Sequence, residues 1–301
     1  MLSLLLGLII SFNIAAKEVA LTFDDAPLPD RSLYTGNERT KILIDVLKKH
    51  EIETVFFSIT SNLTDSNGLE RMRKYEAAGH LIANHTHTHP NFDQTSIVDY
   101  IQDFDKADDL LRHFKTFRPW FRYPMLKHGN TPGKRDLMRN HLNKKGYLNG
   151  YVTLDIQDWF MASLVNDGVK VGKKVNKKNL CLAYSEMIWD SMVYYDSKAS
   201  ELLKRSPKHT LLLHENDLAA LCIESLIAKI KLNGWKIISP ETAMKDEIYR
   251  RNPNTLFSNN GLIAALYYES TQIKLNDPWS YPWEDGKLIR EEFEKRAVFE
   301  K

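Results

Sequence analysis

Cysteine is nearly missing: Cys181 and Cys222 are the only two in 301 residues. Two thiols cannot staple a small disulfide scaffold, and their separation has none of the short spacings of a zinc finger or ribbon. Each lies in an apolar stretch of helical character, which reads as two buried free thiols rather than a bridge. Glycine (13) and proline (11) are also sparse, which excludes collagen-like repeats and Pro/Gly-rich disorder. No sign of charge dominates, because 41 Lys+Arg face 39 Asp+Glu for a formal net charge of +2. A dedicated nucleic-acid binder carries a basic surplus, so no nucleic-acid partner is expected. No apolar run reaches the roughly 20 residues of a membrane-spanning helix. What is present, 43% hydrophobic and 27% charged residues, suits a globular chain with material for a large core.

Charge is unevenly placed. Met1 to Ala16 carries no charged side chain, and Leu2–Ile10 is almost wholly aliphatic. That segment matches the apolar part of a secretory leader, with Ile14-Ala15-Ala16 offering a small-residue cleavage point, although no Lys or Arg precedes Lys17. Residues 1–16 are expected to be a signal peptide, and the remainder to be periplasmic or secreted without a stable membrane span.

From Lys17 onward, β-rich runs alternate with helical ones. Val19–Phe23, Thr54–Ile59, Leu81–Asn84, Trp120–Tyr123, Tyr151–Leu154, Thr210–Leu213 and Trp235–Ile238 read as strands. Arg39–His50, Leu69–Ala78, Thr95–Phe117, Lys134–Lys145, Leu180–Lys204 and Leu218–Leu232 read as helices. Such alternation predicts an α/β fold with a parallel sheet, and this many units in one domain suits a closed barrel. Asp167–Asn179, rich in lysine, reads as a solvated loop, with a landing site for an anionic polymer as the alternative. Beyond Asp246 the rhythm fades. Trp279, Tyr281 and Trp283 recur at every second position and would share one face of an extended segment. They could pack on the barrel or stack on sugars.

The informative polar residues follow strands. Asp24 and Asp25 follow Val19–Phe23; His85, His87 and His89 follow Leu81–Asn84; Arg122 ends the run at Trp120; Asp155 and Asp158 follow Tyr151–Leu154; His214 and Glu215 follow Leu211–Leu213. In a parallel barrel these strand ends meet at one mouth. His85 and His89, spaced H-x3-H, can meet one ion, and imidazole with carboxylate suits zinc. His87 could compete, because three histidines of an extended segment share a face. An ion on Asp25, His85 and His89 keeps open positions for water and a substrate oxygen, which suits hydrolysis. Asp24 is then placed as base and His214 as acid. An Arg122–Asp24 pair and an Asp158–His214 pair would tune them.

These motifs resemble the polysaccharide deacetylases with a NodB homology domain, carbohydrate esterase family four, from about Val19 to Asp246. Thr22-Phe23-Asp24-Asp25-Ala26-Pro27 resembles the first family motif, and His85-Thr86-His87-Thr88-His89-Pro90 the second, whose outer histidines are the ligands. Phe121-Arg122-Tyr123-Pro124, Asp155-Ile156-Gln157-Asp158-Trp159 and Leu212-Leu213-His214 resemble the remaining three. Ala26 stands where Gly is usual, and Met125 where an aromatic residue is common. The resemblance implies a distorted (β/α)7 barrel with a C-terminal extension: a deacetylase domain at 17–248 and the extension at 249–301, packed on the barrel. It implies Zn2+ or another divalent transition metal, with Asp24 as base, His214 as acid, Arg122 and Asp158 as their partners, and the Met125 N–H on the oxyanion. Trp159 would line the substrate groove and Leu212 the acetyl pocket. The substrate would be an N-acetylated glycan of peptidoglycan or chitin type, releasing acetate. Deacylation of O-acetyl xylan, formylated amino sugars or cyclic imides is the alternative, and a non-catalytic glycan-binding protein a more distant one.

Overall fold

The computed structural model describes residues 16–64, 66–275 and 282–300. Residues 1–15 of the expected leader, and Trp279 and Tyr281 of the aromatic series, lie outside the described residues. In chain order the elements are β1 (Glu18–Ala26), α1 (Gly36–Lys49), β2 (Val55–Ser58), α2 (Ser66–Ala77), β3 (Leu81–Asn84) and α3 (Ile97–Leu111). Then come β4 (Phe117–Phe121), α4 (Pro132–Lys144), β5 (Leu148–Asn149), α5 (Asp158–Lys170), α6 (Lys177–Leu203), β6 (His209–His214) and α7 (Asp217–Leu232). β7 (Lys236–Ile237), α8 (Pro240–Ala243), α9 (Gly261–Thr271) and α10 (Gly286–Lys295) complete the series.

The strands form one parallel sheet in the order β5-β4-β3-β2-β1-β6, with β7 beside the start of β1. Central β1 is covered on both faces. Val19, Leu21 and Phe23 join the main core, while Ala20 packs with Ile238 and Ala243. That double burial is why its sequence is a continuous apolar run rather than an alternation. Helix starts follow local chemistry: Thr35 and Glu38 form a reciprocal capping box at α1, and Ser96, Thr131 and Asn216 each accept a backbone N–H at α3, α4 and α7.

The sheet curls until one segment serves both edges. Asn149 pairs with Phe121 on β4, and a few residues on Leu154 pairs in parallel with Leu211 on β6. Tyr151–Leu154 is therefore a bridge across the gap rather than a strand of its own. The tail seats directly on this bridge: the Leu262 N–H donates to the Val152 carbonyl at 2.7 Å. Gly261 makes that approach with φ +82, and a Cβ there would stand 2.8 Å from the same carbonyl oxygen, so only glycine fits. Leu262, Ile263, Tyr267, Ile289, Phe293 and Val298 lie in the main core. Each large apolar side chain so buried contributes about 1.5–3 kcal/mol.

Three expectations change. Cys181 and Cys222 are joined in a disulfide, not free. Side-by-side packing of α6 and α7, both returning from the same mouth of the parallel sheet, brings the Cα atoms of the two cysteines to 4.9 Å, within bridging range, a proximity that helix apolarity does not encode. The lysine-rich stretch is mostly helical, since α5 runs to Lys170 and α6 starts at Lys177. Helix α3 stops at Leu111 because Phe117 already pairs with Ile82 in the sheet.

Candidate active site

Because the sheet is parallel, its strands end at one mouth, in a register that joins Ala26 to Ser58, Ser58 to Asn84, Asn84 to Phe121 and Asp24 to His214. Neighbouring residues of a regular strand point to opposite faces. Here the register of β1 against β2 shifts between Phe23 and Ala26, and Asp25 sits at φ +67. The break in alternation turns both Asp24 and Asp25 into one cleft. Thr86 (φ +70), His89 (φ +58), Met125 (φ +53) and Leu126 (φ +52) share the left-handed region. These five, of nine such non-glycine residues among the described residues, lie in the loops around that cleft, the concentration of backbone strain typical of functional sites.

Asp25 Oδ1 lies 3.5 Å from His85 Nε2 and 3.3 Å from His89 Nε2. The ligand atoms of all three fall within 4.8 Å of one another. His85 Nδ1 is 2.8 Å from the Arg122 carbonyl oxygen, which can only accept. Nδ1 therefore carries the hydrogen, and Nε2 presents its lone pair to the cleft. Burial, reinforced by His85, lowers His89 to about 4, which leaves it the neutral imidazole a metal requires. Burial pushes the Asp25 carboxyl up, but contact with His85 and the charges of His214 and His89 outweigh it and hold the group well below the usual carboxylate range. Asp25 Oδ1 is buried with no hydrogen-bond partner among the described residues. An orphaned carboxylate oxygen facing two imidazoles is a donor set that fits a divalent transition ion.

His87 is not part of this cluster. The left-handed turn at Thr86 breaks the extended geometry, and His87 Nδ1 meets Thr60 Oγ1 at 2.8 Å instead. Arg122, buried, donates from Nη1 to Asp24 Oδ1 at 2.6 Å and to Thr22 Oγ1 at 2.9 Å. Its Nε donates to the Gly150 carbonyl at 2.7 Å, and its guanidinium lies 3.9 Å over the Phe57 ring. Asp158 is buried under His214: Oδ1 is 2.6 Å from His214 Nδ1, while Oδ2 accepts the His214 backbone N–H at 2.8 Å. Burial opposes a charge on His214, but Asp158 first, then Asp25 and Asp24, raise it to about 10.

The remaining anticipated residues line the same cleft. Trp159 and Met125 are about half exposed there, and Leu212 packs with Leu126 and Val152 as an apolar floor. The Met125 N–H makes no backbone hydrogen bond among the described residues. Sequence reasoning missed Gln157, Asn260 and Glu284, which also line the cleft. Gln157 sits inside a motif already singled out. Asn260 and Glu284 come from the tail and carry no local signal.

Fold and site together define a class: a curled parallel α/β barrel with an Asp-His-His cluster between an Arg-paired carboxylate and a carboxylate-oriented imidazole. Over residues 13–148 the chain matches the polysaccharide deacetylase family model. It is 31% identical over 107 residues to a peptidoglycan-N-acetylglucosamine deacetylase of Bacillus cereus, covering 36% of this chain and 35% of the relative. It is 37% identical over 146 residues to a chitooligosaccharide deacetylase of Bradyrhizobium, covering 48% of this chain and 59% of the relative. The matched part thus spans about a third to somewhat over half the length of these relatives. The fold is similar to the chitin deacetylase structure from Colletotrichum lindemuthianum, with TM-score 0.53 and 20% identity over 77% of this chain and 89% of that one.

Proposed function

We propose that the chain is a metal-dependent deacetylase that removes N-acetyl groups from amino sugars of a polysaccharide or oligosaccharide, releasing acetate and leaving a free amine. The observation that carries this is the Asp25–His85–His89 cluster flanked by two oriented proton-transfer groups, Asp24 on Arg122 and His214 on Asp158. Zinc or a similar divalent ion held by Asp25, His85 and His89 would supply Lewis acidity and a more acidic water. Asp24 takes the proton of the attacking water, its Oδ1 held by Arg122 and its Oδ2 directed toward His85 at 3.6 Å. The Met125 N–H faces the charge that develops on the amide oxygen. His214, with Nδ1 tied to Asp158, offers Nε2 to protonate the leaving nitrogen. Leu212, Leu126 and Val152 receive the acetyl methyl, and Trp159 takes the sugar.

The deacetylase domain is proposed to span 17–248, with 249–301 as an extension packed on it. Export is proposed as well, with 1–16 as leader; the Cys181–Cys222 disulfide suits an oxidising compartment, and no helix among the described residues is long and apolar enough to cross a membrane. The test measures acetate release from acetylated chitooligosaccharides, peptidoglycan and acetyl-xylan, with and without chelator. Chelator-sensitive acetate from an N-acetylated glycan is expected. Acetate from xylan alone would move the assignment to O-deacylation, and no product from any of the three would overturn it.

A further inference from the structure

The tail places a polar group in the cleft that the chemistry above does not use. Glu284, just before α10, accepts at Oε2 from Gln157 Nε2 (2.9 Å) and from Asn260 Nδ2 (3.1 Å), and at Oε1 from the Tyr195 hydroxyl (3.2 Å). The Asn260 amide nitrogen also faces Asp155 Oδ2 at 3.5 Å. Among the described residues no Lys or Arg side chain stands among the groups acting on either carboxyl, and burial raises both above the usual carboxylate range. Neutral donors alone act on Glu284, and His214 is the one cation among the described residues acting on Asp155, so drawing these two acids together is costly for a purely structural purpose.

Donor arithmetic says what this wall can still bind. A carboxylate offers about four acceptor sites; Oε2 of Glu284 has two donors and Oε1 has one, which leaves a site on Oε1. Gln157 turns its NH2 to Glu284, so its carbonyl oxygen points away as a further acceptor. Both vacancies accept, and both belong to residues lining the cleft that holds Asp25 and His89. The same cleft carries Trp159, 51% exposed. A pyranose has matching surfaces: an apolar C–H face for an indole and a rim of hydroxyl donors for planar acceptors.

We propose that the C-terminal extension completes the glycan cleft, with Glu284 as a specificity-determining residue. Glu284 and Gln157 form the polar wall of a sugar subsite and accept hydrogen bonds from hydroxyls of a pyranose whose apolar face lies on Trp159. This rests on the deacetylase reading and adds a subsite to it. Asn260 orients the wall through its amide and is a positioning residue.

The test uses the full metal-loaded chain and two substrates: an acetylated chitooligosaccharide, and a small aryl acetate ester that occupies only the metal end. Glu284→Ala is expected to raise KM for the oligosaccharide about ten-fold, the worth of one lost hydrogen bond to a charged group. The ester should be hydrolysed within about two-fold of wild type. Glu284→Gln keeps its carbonyl oxygen toward the two amide donors at the Oε2 position and sets an NH2 at the Oε1 position, so it preserves the wall but not the sugar-facing acceptor, and most of the KM loss is expected to persist. Equal losses on both substrates would show a structural role and overturn the proposal, as would unchanged KM on the oligosaccharide. A wild type that releases acetate from the ester but from no glycan would instead overturn the deacetylase reading, and the subsite with it.

Discussion

Asp24 and His214 are register partners across the parallel pair β1 and β6. One ladder step of about 4.8 Å between strands therefore sets the proposed base and the proposed acid at the same mouth. Each is then oriented from behind by a buried group of opposite charge, Arg122 for Asp24 and Asp158 for His214. Backbone hydrogen bonds, not loop flexibility, determine the spacing.

Replacing Asp24 by Asn removes the proton acceptor while keeping the shape that Arg122 and Thr22 hold. Deacetylation is expected to fall by about 10²–10⁴, with metal content unchanged by elemental analysis. Full activity in this variant would remove Asp24 from the base role.

His85→Ala deletes a ligand whose tautomer the Arg122 carbonyl sets. The dialysed variant is expected to lose stoichiometric metal, and the chelator-sensitive part of any activity with it. Metal retained at wild-type stoichiometry after dialysis would place the ion elsewhere.

The alkaline limit of activity should belong to His214. Burial lowers its pKa, Asp158 more than offsets this, and the balance lies near 10, so the imidazole keeps its proton well above neutrality. Asp158→Asn removes the raising charge and should move the alkaline limb of the kcat profile down toward the ordinary imidazole value of about 6.5. Because the folded pKa is raised, the pair's stability contribution is fully present below about pH 6.5 and is lost as pH rises through the folded value near 10. A limb unmoved in the variant would assign it to another group.

Reduction, or a Cys181→Ser and Cys222→Ser double variant, should cost about 2–4 kcal/mol of stability through loss of the α6–α7 cross-link. Thermal melting checks this. Residual activity at low temperature is expected to persist, because neither cysteine lines the cleft.

Most of the candidate site was readable because Asp24, Asp25, His85, His89, Arg122, Asp158 and His214 are polar residues at or just after the ends of apolar runs, where a core has no use for them. His87 could not be decided from spacing, since the left-handed Thr86 that turns it away is a backbone conformation, not a residue type. Asn260 and Glu284 were invisible for another reason. They enter the cleft only because α9 docks on the Val152 carbonyl and α10 packs with α5 and α6, contacts made between segments far apart in the chain.

The sequence by itself determined the alternation of buried strands and helices, and with it the polar residues at one mouth, because every strand of a parallel sheet ends on the same side. Only the tertiary structure decided how far the sheet curls, that Tyr151–Leu154 bridges its edges, that two sparse cysteines meet at 4.9 Å between Cα atoms, and that the tail reaches the cleft. Those outcomes depend on which distant surfaces pack together, and no local pattern of residue types carries that information.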